Sequence, residues 1–277
     1  MKTYKNYPLI VLSSLLISNA SAAVVIQNDF NGLTLDSGDV GPAIQQLTNS
    51  IGGPGTFDPA TSTFTNSTNN VNASGFNSSS LVALDPLTTQ ITATFDIASV
   101  ANPGAIQFNG FFLGIVTGRT GATNTDSIGL FNNAPLSFGL QIFNGGTSLG
   151  VVRDGATGVG SNLVNNTVLS EASVADGFTF TFVLRDGSYD AFTTGLLDDT
   201  GANFDLNLTN ETLTVLDILP DFNDFLTNGV EINGSILGPS VGFTINSATV
   251  EVEVVPEPSS TALLGLGGLA LLTRYKR

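Results

Sequence analysis

The residues of this chain that could do acid–base or metal chemistry are almost all carboxylates. The 277-residue sequence has no His and no Cys. Histidine triads, thiol nucleophiles, disulfides and imidazole or thiolate metal sites are therefore excluded. Its eight basic residues are Lys2, Lys5, Arg119, Arg153, Arg185, Arg274, Lys276 and Arg277. The stretch between the two ends thus holds no Lys, which removes Schiff-base and Ser-Lys mechanisms. No Walker-type phosphate loop or dinucleotide fingerprint is present. Carboxylates, hydroxyls, amides and three arginines remain.

Paired carboxylates can hydrolyse glycosides when they face one cleft, and the sharpest pair is Glu251-Val252-Glu253. The simpler reading makes both the wet face of a strand whose Val250, Val252 and Val254 face a core. Calcium needs several oxygen ligands. The clusters that could offer them are Asp29-Phe30-Asn31-Gly32, Asp186 with Asp190, Asp198-Asp199, and Asp217, Asp221 and Asp224. None has EF-hand spacing, and each also reads as a turn-forming residue or a solvated face. Arg119, Arg153 and Arg185 could meet an acidic sugar; the competing reading pairs them with a neighbouring carboxylate such as Asp154 or Asp186. Sugars stack on Trp and Tyr, and between the two ends there is no Trp and only Tyr189.

That interior holds 22 of the 23 acidic residues against three arginines, a net charge near −19. Such a body repels nucleic acid and anionic membrane surfaces, so no nucleic-acid partner is expected and cations are the plausible charged partners.

The elements that position these groups read as β. Period-two segments occur at 90–97, 178–184 and 244–255, with further β-rich runs at 23–29, 106–116, 137–143, 191–197, 204–208 and 212–218. Asn31-Gly32, Asp154-Gly155, Asp176-Gly177, Asp186-Gly187 and Asn228-Gly229 supply tight-turn chemistry between them. The pattern predicts an all-β protein, an antiparallel sandwich or barrel. One short helix is expected after Gly41-Pro42, with Ile44, Leu47 and Ile51 on one face and Gly52-Gly53 ending it. The Asn/Ser/Thr/Gly-rich stretch 53–80 reads as a flexible loop.

The two ends differ from this body. Lys2 and Lys5, an apolar run over 9–17, and Ala20-Ser21-Ala22 have the order of a secretory signal peptide. Residues 1–22 are expected to form that signal helix, with Ala20, Ala22 and Ala23 flanking cleavage after Ala22. At the other end, Pro256-Glu257-Pro258 breaks the last strand. An apolar helix follows over 261–273, carrying Ala262, Leu263, Leu264, Leu266, Leu269, Leu271 and Leu272. It would span only about 20 Å. Arg274, Lys276 and Arg277 fit a cytoplasmic flank and favour a short transmembrane anchor over a buried helix. The expected division is therefore 1–22, a sandwich domain at 23–255, and a sorting and anchor segment at 256–277.

The order of triad, apolar helix and basic end resembles the PEP-CTERM sorting domain. The resemblance rests on Val255-Pro256-Glu257-Pro258-Ser259, the helix and the basic patch. It implies recognition of Pro256, Glu257 and Pro258 by an exosortase after transit through the secretion machinery. It further implies transient inner-membrane insertion, then arrival at the cell surface or exopolysaccharide matrix of a Gram-negative bacterium. The runs Val25-Ile26-Gln27-Asn28-Asp29-Phe30-Asn31-Gly32 and Gly242-Phe243-Thr244-Ile245-Asn246-Ser247-Ala248-Thr249-Val250 resemble the first and last strands of concanavalin-like jelly rolls. Within that fold, Glu251 and Glu253 are similar to part of the Glu-x-Asp-x-x-Glu strand of laminarinase-type glucanases. Here, however, Glu253 replaces the middle Asp, and Glu257 stands one residue too far on. The expectation is a non-enzymatic surface or matrix protein whose body is a structural or interaction module without a required cofactor. A carbohydrate-binding, calcium-dependent module is the alternative, and a glycoside hydrolase a more distant one.

Overall fold

The computed structural model describes residues 21–33, 35–46, 55–67, 73–107, 110–117, 136–143, 148–155, 161–162, 169–212 and 222–254. The chain divides into Ala22–Val254 and a second unit made of Met1–Ser21 and Val255–Arg277. The expected signal helix, Ala20, the Pro-Glu-Pro triad, the apolar tail helix and its basic flank lie outside the described residues. Among the described residues no helix is long and apolar enough to cross a membrane.

Among the described residues the strands run in order β1 (Ser21–Asn28), β2 (Ile44–Gln46), β3 (Thr56–Asp58), β4 (Thr63–Thr65), β5 (Ala73–Ser78), β6 (Thr88–Ala101), β7 (Phe111–Val116), β8 (Leu136–Phe143), β9 (Ser148–Gly155), β10 (Ser161–Asn162), β11 (Phe178–Arg185), β12 (Ser188–Thr194), β13 (Asn207–Thr212), β14 (Glu231–Leu237) and β15 (Gly242–Val254). Two short helices, α1 (Glu171–Ala175) and α2 (Phe222–Asn228), and a 3₁₀ turn at Pro103–Ala105 complete them. One sheet, sheet A, has the order β13-β12-β11-β6-β15-β4-β3, with β1 also paired to β15. The other, sheet B, has the order β10-β9-β8-β7-β14-β5-β2. Along the order from β13 to β3 and the order from β10 to β2, neighbouring strands pair antiparallel.

Alternation explains sheet A. In β11 the phenylalanines at 178, 180 and 182 are buried while the threonines between them are half-exposed. β6 and β15 alternate in the same way. Register brings Phe180 opposite Phe95, their ring centroids 6.5 Å apart. The inner faces of the two sheets then meet through aromatic pairs. Phe111 of β7 lies 6.1 Å from Phe178 and 5.1 Å from Phe243, and Phe138 of β8 lies 5.3 Å from Phe182 and 5.1 Å from Tyr189. Phe carries no polar atom, so it fills a dry interior without needing a hydrogen-bond partner. Asp186-Gly187 closes the β11–β12 hairpin, whose last pair is Arg185 with Ser188.

Two expectations fail. The helix expected after Gly41-Pro42 is absent at its start, because Ile44–Gln46 is strand β2, paired with Phe76–Ser78 of β5. Ile44 is buried in the core, and sheet pairing outweighs the weak helical spacing. Residues 47–51 lie outside the described ones. The loop expected over 53–80 instead contains β3, β4 and β5. Phe64 and Phe76 in it are fully buried, which a mobile surface loop would not permit. The helices observed, α1 and α2, lie elsewhere in the chain.

Tyr189, in β12, is 2 % exposed. Burial, with a smaller contribution from Glu211 opposite it, pushes its hydroxyl up to about 12. A neutral tyrosine buried this way contributes stability fully present below pH 10, its ordinary pKa, and lost as pH rises towards 12. The loss amounts to about 2 kcal/mol. Alkaline unfolding of the wild type should steepen across that window, and Tyr189→Phe should flatten it. An unchanged profile in the variant would contradict this placement.

A polar row on sheet B and an acidic loop after β1

β14 reads Glu231-Ile232-Asn233-Gly234-Ser235-Ile236-Leu237, and all seven residues are buried. Ile232 and Ile236 join the core between the sheets. Period two therefore turns Glu231, Asn233 and Ser235 to the outer face of sheet B. An outer sheet face is normally wet, yet these three are 4 %, 0 % and 0 % exposed. Register extends the pattern across neighbouring strands. Gln45 of β2, Asn77 of β5, Asn233 of β14, Gly114 of β7 and Gly139 of β8 form one row. Gly75, Ser235, Phe112 and Gln141 form the row on one side of it. Glu231, Val116 and Ser137 form the row on the other.

The amide donors of Asn77 and Asn233 are committed within the sheet. Asn77 Nδ2 donates to Glu231 Oε1 at 2.8 Å and to the Ser78 carbonyl at 3.0 Å, and Asn233 Nδ2 donates to the Phe76 carbonyl at 3.0 Å. Among the described residues, Asn77 Oδ1, Asn233 Oδ1, Ser235 Oγ and Ser137 Oγ are buried and find no hydrogen-bond partner. The floor between β7 and β8 must be glycine. A Cβ on Gly114 would strike the Phe138 carbonyl and lie 2.6 Å from the Phe112 ring, and one on Gly139 would lie 2.7 Å from Gly114 Cα. The row thus offers hydrogen-bond acceptors above a close-packed backbone.

The second cluster follows β1. Gln27 bridges Val40, which folds residues 28–39 into a loop. Asp29, Asp36 and Asp39 then each place a carboxylate oxygen within 4.8 Å of the others. Asn28, 1 % exposed, ties the loop: its Nδ2 donates to Asp39 Oδ2 at 2.9 Å and its Oδ1 accepts from Phe30 N at 2.8 Å. Phe30 holds a left-handed φ of 57°, unfavourable for a bulky residue. Burial of its ring 4.6 Å from Phe76 offsets that cost. Asp39 also accepts from the N–H groups of Asp29 and Asp36. The loop offers hard oxygens to a divalent cation. Of the three, only Asp29 belongs to a cluster read from the sequence; Asp36 and Asp39 join it through the Gln27–Val40 bridge.

The other candidate groups separate. Arg185 pairs with Asp190 at 2.8 Å and donates to Gln90 at 3.0 Å, so its partner is Asp190 and not Asp186. This hydrogen bond holds the Asp190 carboxyl below its usual range and raises the arginine. Asp190 is thereby engaged by a cation. Asp198 accepts from the N–H groups of Thr200 and Ala202 and from the Thr200 hydroxyl, which lowers its pKa and marks a turn residue. Glu251 and Glu253 lie half-exposed on the outer face of sheet A, alternating with buried Val250 and Val252. They do not share a face with Glu231. Arg119, Asp217, Asp221, Glu257 and the side chains of Arg153, Asp154 and Asp224 lie outside the described residues. Ala22 and Ala23, at the expected cleavage position, are exposed at the start of β1.

Residues 254–277 match the PEP-CTERM protein-sorting motif. No curated protein matches the sequence. Among solved structures, the metal-free exoplasmic/lumenal domain of VIP36 is similar at a TM-score of 0.53 and 11 % identity, over 86 % of this chain and 95 % of that one. Arcelin-5, a lectin-like defense protein from Phaseolus vulgaris, is similar at 0.50 and 8 % identity, over 85 % of this chain and all of that one. Metal-free lectin I-B4 from Griffonia simplicifolia is similar at 0.50 and 9 % identity, over 83 % of this chain and all of that one. The body has the lectin-like, concanavalin-type β-sandwich fold.

Proposed function

We propose that this chain, which carries a PEP-CTERM sorting motif, is exported and processed by an exosortase through Pro256, Glu257 and Pro258. Its sandwich then acts as a non-catalytic interaction module at the surface or in the exopolysaccharide matrix of a Gram-negative bacterium. The match of residues 254–277 to the sorting motif carries this reading. Support comes from the leader, whose positive end, apolar run and small residues at Ala20 and Ala22 suit a signal peptidase. Further support comes from charge. Arg274, Lys276 and Arg277 favour retention on the cytoplasmic side while Leu263, Leu264, Leu266 and their neighbours enter the bilayer. The body, at about −19, would not adhere to an anionic membrane surface. The intact mass of the protein released by its host tests both ends. It should lack residues 1–22 and the basic tail; release of a chain keeping either end would contradict this reading.

The acidic loop supports a second, narrower reading: a weakly held calcium ion at Asp29, Asp36 and Asp39, with waters completing its shell. Millimolar calcium should raise the thermal midpoint by a few degrees, since about 1 kcal/mol shifts a domain of this size by roughly 2–4 °C. Asp36→Asn should abolish the rise. An equal rise in the variant, or none in the wild type, would remove calcium from the account.

A further inference from the structure

We propose that Asn207, on the end strand of sheet A, is a covalent modification site that accepts a saccharide from a lipid-diphosphate donor. This rests on the reading of the chain as an exported protein. Asn-x-Ser/Thr, with any residue but Pro in the middle, is the acceptor sequence for N-linked saccharides in exported proteins. Among the described residues it begins at Asn66, Asn77, Asn207, Asn210 and Asn233. The fold separates them. Asn66, Asn77 and Asn233 are 4 %, 2 % and 0 % exposed. Their Nδ2 atoms, the ones that must attack the sugar, already donate within the body: Asn66 to the Ile236 and Gly238 carbonyls, Asn77 to Glu231 and the Ser78 carbonyl, Asn233 to the Phe76 carbonyl. No enzyme reaches them. Asn207 and Asn210 are exposed, as are Thr209 and Thr212. Asn210 is clamped: its φ is left-handed at 53°, its N–H donates to Asp190 Oδ1 at 2.6 Å, and the acid Glu211 is the middle residue of its triplet. Asn207-Leu208-Thr209 lies in the strand instead, with Asn207 opposite Phe192 and Leu208 opposite Ala191. Leu208 packs against the core, so period two turns Asn207 and Thr209 together to the exposed side. β13 ends sheet A, and its open edge presents the triplet as an extended segment, a form in which partner proteins take up a chain.

The transfer forms a bond from Asn207 Nδ2 to the anomeric carbon of the saccharide and breaks that carbon's bond to the diphosphate. The lipid diphosphate leaves with the bonding electron pair, and Nδ2 gives up one proton to water. A transferase of the host supplies the catalysis. The attached saccharide covers the open backbone groups of β13, an edge strand that has no Lys or Pro to blunt it. The experiment isolates the full chain from the membrane, surface and medium of its host and maps its peptides by mass spectrometry. The wild-type peptide holding Asn207 should exceed its sequence mass by that of a saccharide. Asn207→Gln and Thr209→Ala should lose this mass completely, since each breaks the acceptor sequence, whereas Thr209→Ser and Asn210→Gln should keep it. The altered side chains are exposed, so these variants should fold as wild type does. An unmodified Asn207 in wild type would overturn the proposal, as would a saccharide mass that survives in Asn207→Gln or maps to another residue, Asn210 included. Unmodified Asn207 in protein whose two ends have been cut would count against this site only. A saccharide at Asn207 on a chain whose tail stays uncut would support the site and count against the sorting reading only.

Discussion

Replacing Phe243 by Ala should destabilise the body by about 3–5 kcal/mol, the range for deleting a large buried aromatic side chain. Phe243 is the second residue of β15 and is 1 % exposed. Its ring stacks 5.1 Å from Phe64 of the same sheet and reaches across to Phe111 and Phe76 of the other, at 5.1 and 6.2 Å. It is a junction between the two layers, so its loss opens a cavity that strands on both sides cannot close together. Domains are stable by about 5–15 kcal/mol, so this one change removes a large share. Urea unfolding of the full chain measures it. A loss below about 1 kcal/mol would mean the sheets do not pack through this cluster.

Gly177→Ala should cost about 2–4 kcal/mol, combining the left-handed backbone penalty with overpacking. Gly177 follows α1 with a φ of 91°, and its N–H returns to the Val174 carbonyl at 3.3 Å, as a C-terminal glycine cap does. A Cβ there would strike the carbonyl oxygens of Ile97 and Ala98 on β6, which belong to the backbone and cannot swing aside. Gly187 separates the two contributions. Its φ is also positive, at 71°, but no atom lies within 4 Å of a Cβ at that hairpin tip. Gly187→Ala should therefore cost only about 1 kcal/mol. Equal losses at the two positions would contradict the close approach of α1 to β6.

Why some elements could be read and others not follows from where their faces point. β6, β11 and β15 each turn one face to the core and one to solvent, so their alternation and the sandwich they imply are plain in the residue order. β14 is buried on both faces and contains Asn233-Gly234, an ordinary turn signal, which hides it. Ile44 of β2 stands at helical spacing from Leu47 and Ile51 in the sequence, and only pairing of Ile44–Gln46 with β5 decides against a helix starting there. β3, β4 and β5 are brief and rich in Thr, Ser and Asn, so composition reads as loop although Phe64 and Phe76 anchor them. Candidate site residues divide in the same way. The sorting triad is linear, with each part next to the last in sequence. The polar row joins Asn77 to Asn233, which lie in distant parts of the chain, and strand register alone brings them together.

The sorting account is tested most directly by the fate of the tail when Pro256 and Pro258 are both changed to Ala. In the native host, cell fractions and medium would be separated and the C-terminus of each pool identified by mass spectrometry. The double variant should accumulate in the membrane fraction with residues 256–277 intact, while wild type is cut and released or surface-held. Release of the variant with the same C-terminus as wild type would contradict recognition at Pro256-Glu257-Pro258.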